Sequence, residues 1–223
     1  MKKKVVRKHN NSGNCFVCGL NNPFGLHSRF YELEDGTVAA LVEAKPEHQS
    51  YPQRVHGGVI TALLDETLGR AINVPEPETW AVTGDISVRF KKPVPYGEPL
   101  LVTGKVTRNT RLIFESEGAL YLKDGTLAAS AHARYMKQPL DVIGDLESNG
   151  DIWVCISEPD DPAEIDIPEE RKAPVPLRTG AFIRISRSRI CCFPGSRGSR
   201  PELRRRGRSF LQRSARRYMP RRA

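Results

Sequence analysis

The sequence predicts an α+β fold in which an antiparallel sheet wraps around one long helix. Two observations carry this. In VHGGVITALLDETLG (Val55–Gly69) and just beyond, the apolar residues Val59, Ile60, Leu63, Leu64, Leu68, Ala71 and Ile72 recur at three- and four-residue steps, the signature of a helix face. On both sides of this segment the period changes to two, the signature of strands. A single apolar helix must bury its face, and the sheet is the only surface available to it.

The elements follow in chain order. MKKKVVRKHNNSGN (residues 1–14) is a basic leader without an apolar core, so a secretory signal is not expected. The globular domain spans residues 15–140 and opens on a Gly/Asn/Pro loop, CFVCGLNNPFGLHSR. Two alternating runs, Arg29–Leu33 and Thr37–Ala44, are separated by Glu34-Asp35-Gly36, and Asp-Gly in that place predicts a hairpin. The helix comes next, with Pro75 and Pro77 ending it. Four strands follow: Trp80–Phe90, Leu100–Thr107, Leu112–Leu122 and Leu127–Met136. The breaks between them are short, which predicts that each is the antiparallel neighbour of the next. Residues 141–176 form an acidic, proline-containing extension that either wraps the surface around Ile152-Trp153-Val154 or stays loose.

Charge divides the chain sharply. Residues 177–223 hold fifteen arginines, no lysine and one acid (Glu202), a net of +14; the whole chain carries +9, so the rest carries −5. The Arg-rich tail is expected to be disordered, or to be a frameshifted end. No run of about 18 apolar residues exists, so no membrane helix is expected. Five cysteines without a disulfide framework fit a reducing cytoplasm. No nucleotide-binding fingerprint appears. The tail could neutralise nucleic-acid phosphates, but it carries no recognisable domain, and a nucleic-acid function is not expected.

The helical segment carries the chemistry. Glycines at a helix start let backbone N–H groups approach a ligand, and the unpaired N–H groups of the first turn favour a developing oxyanion. Gly57 and Gly58 thus fit one half of an acyl-transfer site, and Asp65 fits the other as base or nucleophile. Each also has a plain structural use. The glycines make a tight helix start, Asp65 is a solvated helix residue, Glu66 is exposed or pairs with Arg70 one turn on, and His56 steadies the loop. Asp65 lies about 12 Å along the axis from Gly57, and His56 and Asp65 are about 180° apart around it. One carbonyl group cannot reach both ends of one helix. If both serve one reaction, Gly57 of one subunit must meet Asp65 of another, so the catalytic reading requires a dimer.

The pattern His56-Gly57-Gly58 with Asp65 nine positions after the histidine resembles the central helix of hotdog-fold thioesterases of the PaaI-like type. The stretch AVTGDISVRFKKPVPYGEPL is similar to the strand that follows in that family, and CFVCGLNNPFGL to a stretch with which related sequences begin. The resemblance covers about residues 15–138. It implies a hotdog fold, dimers or dimers of dimers, and hydrolysis of acyl-CoA thioesters without a cofactor. It also implies roles: Asp65 activates water or attacks directly, a motif glycine N–H polarises the carbonyl, and a Ser or Thr on the next strand assists across the dimer. Thr83 matches that position, with Ser87 the weaker candidate. Val59, Ser87, Arg89, Lys91 and Lys92 are the expected substrate contacts, the cations meeting the coenzyme A phosphates, although a solvated strand end explains them equally well. Arg108 and Arg111 are further cations of this kind.

Cys15-Phe-Val-Cys18-Gly19 has the spacing of half a zinc knuckle, but His9, His27 and His48 form no second ligand pair. It is read as a buried loop packed on the sheet, with no metal site. Two rivals share the scaffold: an acyl-thioester hydratase or dehydratase, and a non-catalytic acyl-CoA-binding module.

Overall fold

The computed structural model describes residues 1–144 and 152–169. All belong to the first of two units, Met1–Ala173; the second, Pro174–Ala223, lies outside the described residues and includes the Arg-rich segment 177–223. In chain order the strands are β1 (Lys2–Lys8), β2 (Asn11–Ser12), β3 (Arg29–Leu33), β4 (Val38–Glu43), β5 (Ala81–Phe90), β6 (Pro99–Asn109), β7 (Ile113–Tyr121), β8 (Leu127–Lys137), β9 (Trp153–Val154) and β10 (Glu164–Asp166). The helix α1 (Gly57–Arg70) lies between β4 and β5 and runs into a 3₁₀ turn, Ala71–Asn73, that stops short of Pro75.

Eight strands form one sheet in the order β10-β1-β3-β4-β6-β7-β8-β5, with every pairing antiparallel. The sheet curls around α1, which contacts β4, β5, β6, β7 and β8. This is the hotdog arrangement. The helix buries Ile60, Leu63, Leu64 and Leu68 against Val38, Val102, Phe114 and Leu120. The approach is close because β6 and β7 carry glycines beneath it. A Cβ on Gly104 would lie 2.9 Å from Thr67 O, and one on Gly118 would lie 2.5 Å from Leu68 Cδ1.

Two features differ from the sequence expectation. Residues 1–14, read as a leader, contain β1, which pairs with β3 and β10. Its basic side chains are met by acids: Lys3 by Asp35 at 3.5 Å, Arg7 by Glu32 at 2.8 Å and Lys8 by Asp161 at 2.7 Å. Five cations in seven residues conceal a strand whose apolar content is only Val5 and Val6. Second, β5 is not the neighbour of β6. It pairs with β8 at the sheet edge, registering Thr83 against Tyr135 and Ser87 against His132. The segment 91–98 instead crosses beside the start of the helix, with Val94 buried and its carbonyl accepting the Val55 N–H at 2.9 Å. The connection's length allows a hairpin, but its three hydrogen bonds to Ala128 O and Val55 N–H commit it to the crossing.

The described part of the acidic extension wraps the surface. β9 pairs with β2, and β10 with β1. The Trp153 ring lies 5.1 Å from that of Trp80, and Asp161 accepts hydrogen bonds from Tyr31 and Lys8. Among the described residues no helix is long and apolar enough to cross a membrane.

Candidate functional site

His56 caps α1. Its Nδ1 accepts the Gly58 N–H at 2.9 Å, which places the proton of the neutral ring on Nε2. The expected donor pair is therefore divided: the Gly58 N–H is engaged by its own neighbour. Among the described residues the N–H groups of Gly57 and Val59 have no protein acceptor, so these two are the ones aimed out of the helix start. The Phe90 ring covers Gly57, 3.6 Å from where a Cβ would lie. Arg89, Lys91 and Lys92 flank Phe90 with exposed side chains and no ion pair among the described residues. Arg108, in contrast, is engaged by Glu115 at 3.6 Å.

Two helical turns on, the Asp65 carboxylate is half-buried. It accepts Thr83 Oγ1 at 2.9 Å through Oδ1, with the other oxygen at 3.2 Å, and Tyr135 Oη at 3.1 Å. The same tyrosine hydroxyl lies 2.8 Å from Asp65 O. The convergence has a local cause: Thr83 and Tyr135 are cross-strand partners in the β5–β8 register, so they share a face. A bulge immediately after Thr83 re-aims the strand there. Thr83 reaches Asp65 within one chain. Burial pushes the Asp65 carboxyl up from its ordinary value; the Thr83 and Tyr135 hydrogen bonds oppose the rise and the Glu66 charge adds to it. Burial and the Asp65 charge push the Tyr135 phenol up as well, so it stays a neutral donor.

Asp65, Thr83 and Tyr135 line a cavity of about 730 Å³ with Trp80, Trp153 and Arg70. None of His56, Gly57, Gly58 or Val59 lines it, nor do Ser87, Arg89, Lys91 or Lys92. The two halves of the candidate site thus stand about two helical turns apart along α1 within one chain. Ser87 is exposed on the edge strand. Tyr135 escaped the sequence reading, although a signal existed: the inward face of β8 is Ala129, Ala131, Ala133 and then Tyr135, one polar tip on an otherwise small apolar row.

Glu66 pairs with Arg70 at 2.9 Å, and the Arg70 guanidinium stacks on Phe30 (4.2 Å) and Trp153 (5.1 Å). Cys15 and Cys18 are free thiols in the loop beside this pair. The hydrogen bond from Cys18 pulls the Cys15 thiol down to about 6, against burial and the Glu66 charge.

Residues 53–129 match the family model described as the thioesterase superfamily. The mouse (Mus musculus) acyl-coenzyme A thioesterase THEM4 is 27% identical over 113 residues, which are 50% of this chain and 47% of that protein. The chain thus spans about half the length of this relative. Among solved structures, the thioesterase superfamily protein RHA08564 is 30% identical with a TM-score of 0.50, over 55% of this chain and 59% of that one. Thioesterase HI1161 of Haemophilus influenzae is 18% identical with a TM-score of 0.50, over 55% and 86%, a likeness of fold.

Proposed function

We propose that this chain, a hotdog fold whose residues 53–129 match the thioesterase superfamily model, hydrolyses an acyl-CoA thioester to free acid and CoA at a site completed by a second copy of itself. The observation that carries this reading is the Asp65 carboxylate, half-buried at a cavity wall and held by two hydroxyl donors. The likeness to the mouse acyl-coenzyme A thioesterase supports the substrate class.

In this mechanism the acyl carbonyl lies at the start of the facing subunit's helix. Its oxygen takes the Gly57 and Val59 N–H groups, which have no acceptor among the described residues, while His56 holds the Gly58 N–H and the shape of the turn. Asp65 removes a proton from water as the water oxygen bonds to the carbonyl carbon. The tetrahedral oxyanion collapses, the C–S bond breaks, and the proton held by Asp65 passes to the leaving thiolate. Direct attack by Asp65 reaches the same products through an acyl anhydride that water then cleaves. A carboxylate raised by burial is the better base, and Thr83 and Tyr135 fix its oxygens at the cavity wall. Arg89, Lys91 and Lys92 meet the CoA phosphates near the helix start.

Thiol release from a panel of acyl-CoAs, from acetyl through palmitoyl to phenylacetyl and benzoyl, tests the reading. Turnover is expected on at least one class, with Asp65→Asn lowering kcat by about 10²–10⁴-fold. Turnover untouched by Asp65→Asn would remove Asp65 from the chemistry. A folded protein that binds acyl-CoA and releases no thiol would be a binding module, and water addition to crotonyl-CoA would mark a hydratase.

A further inference from the structure

We propose that Cys15, Cys18 and Glu66 form a binding site for one thiophilic divalent cation, zinc being the ion best suited to two thiolates and a carboxylate. This stands apart from the thioesterase reading and needs only the geometry beside α1. One ligand atom from each of the three residues lies within 4.8 Å of the other two. A tetrahedral zinc separates sulfur and oxygen ligands by about 3.5–3.8 Å, so a contraction of about 1 Å seats the ion.

The cysteine loop is already shaped for it. The Val17 and Cys18 N–H groups both point at Cys15 Sγ, at 3.3 and 3.5 Å, and such donors stabilise negative charge on sulfur. The turn closes with the Gly19 N–H on Cys15 O at 2.8 Å. A Cβ on Gly19 would lie 2.3 Å from that oxygen, so the turn as built excludes a side chain there. Asn11 Nδ2 holds Cys18 O at 2.6 Å and Ser28 O at 3.0 Å, and Ser12 Oγ accepts the Cys15 N–H at 3.0 Å. Cys18 itself is buried. These bonds hold the backbone that carries both sulfurs, and two of them act on the Cys15 sulfur itself.

The third ligand comes from the helix. Arg70 Nε donates to Glu66 Oε1 at 2.9 Å, which leaves Oε2 for a cation and orients the carboxylate from its outer side. The charges close: two thiolates and one carboxylate are balanced by a divalent ion and Arg70. Loading needs no oxidant. Two S–H bonds break, two metal–sulfur bonds form, and the two protons leave to solvent. Three protein ligands leave the fourth position of a tetrahedral ion to water. Because Glu66 follows Asp65 directly, the ion would tie the 15–28 loop to the helical turn that carries Asp65. The cysteine spacing in the sequence shows no second ligand pair because the third ligand enters from α1, 48 residues downstream of Cys18.

The test uses the full chain, reduced and stripped of metal, titrated with Co²⁺ and then Zn²⁺. One Co²⁺ per chain is expected, with a sulfur-to-cobalt charge-transfer band in the near ultraviolet that Zn²⁺ abolishes. Cys18→Ser is expected to remove the band. Glu66→Gln is expected to keep it and weaken binding by at least about tenfold. The double variant Cys191→Ser/Cys192→Ser is expected to bind as the parent does. No band, a band that survives Cys18→Ser, one lost with Cys191 and Cys192, or Glu66→Gln affinity equal to the parent's would each overturn the proposal. Should Cys18→Ser fail to fold, alkylation of the unaltered chain decides. Zinc is expected to protect Cys15 and Cys18 while the exposed Cys155 still reacts, and equal labelling with and without zinc would refute the site.

Discussion

At the scale of single residues, the site depends on where hydrogens are committed. Gly57 is the first residue of α1, and its N–H has no acceptor among the described residues. Proline is tolerated at that position because the helix does not use the N–H. The preceding His56, at φ −63° and ψ 137°, already has the extended backbone that a following proline demands. Gly57→Pro is therefore expected to fold and to lose about 10²–10³ in kcat, the cost of one oxyanion donor; thermal melting beside turnover measurements checks it. The Tyr135 hydroxyl bears on the base instead. Tyr135→Phe removes a donor shared between the Asp65 carboxylate and its backbone carbonyl, so the acid limb of kcat/KM is expected to move up while KM changes little. The sign follows from the direction of the Asp65 shift. The ionised form acts, its pKa lies above the ordinary 3.8, and activity is present above the folded pKa and lost as pH falls through it. A limb in the parent enzyme at or below that ordinary value would contradict the raised pKa. Thr83→Ser should keep activity where Thr83→Val loses it, because the hydroxyl and not the methyl reaches Asp65.

At the scale of elements, α1 and the strands β3, β4, β5, β6, β7 and β8 were legible because apolar residues recur in each at its own period, though the period could not show which strand β5 pairs with. The residues Leu63, Leu64 and Leu68 that mark the helix pattern are the ones buried beneath the sheet. Leu68→Ala is expected to cost about 2–5 kcal/mol in chemical denaturation, since no solvent reaches the cavity it leaves. What the pattern concealed has physical reasons. β1 reads as a charge run because acids from β3, the hairpin turn and the extension neutralise it only in three dimensions. The extension itself is held by Asp161, whose carboxyl burial would raise but which the Glu158 N–H, Lys8 and Tyr31 draw down to about 2. That stabilisation is present above the unfolded value near 3.9 and is lost as pH falls toward 2. Asp161→Asn is accordingly expected to loosen residues 152–169 at neutral pH, seen as faster amide exchange in β10, and to flatten the stability loss between about pH 4 and pH 2. Unchanged exchange would show that the strand pairing alone holds the extension.

At the scale of the whole molecule, one chain keeps its Asp65 cavity and its helix start apart. The sequence already carried this separation in its nine-residue spacing, because α-helical geometry turns a count of residues into a distance and an angle. It could not show that Thr83 meets Asp65 within one chain, since that contact depends on β5 crossing to the far edge beside β8. The edge strand β5 leaves Thr83, Asp85, Ser87, Arg89 and Phe90 exposed, and it is at this edge that a second copy would bring its helix start. The central claim is therefore one of shared sites, and subunit complementation tests it most directly. Asp65→Asn and Gly57→Pro chains would be co-expressed, purified as mixed dimers and compared with each variant alone. If each site draws Gly57 from one chain and Asp65 from the other, every mixed dimer holds one intact site of two, and the purified mixed dimers should recover about half of parental thioesterase activity from two nearly inactive parents. A mixture no more active than either variant, with folded dimers and an active parent enzyme, would contradict the account.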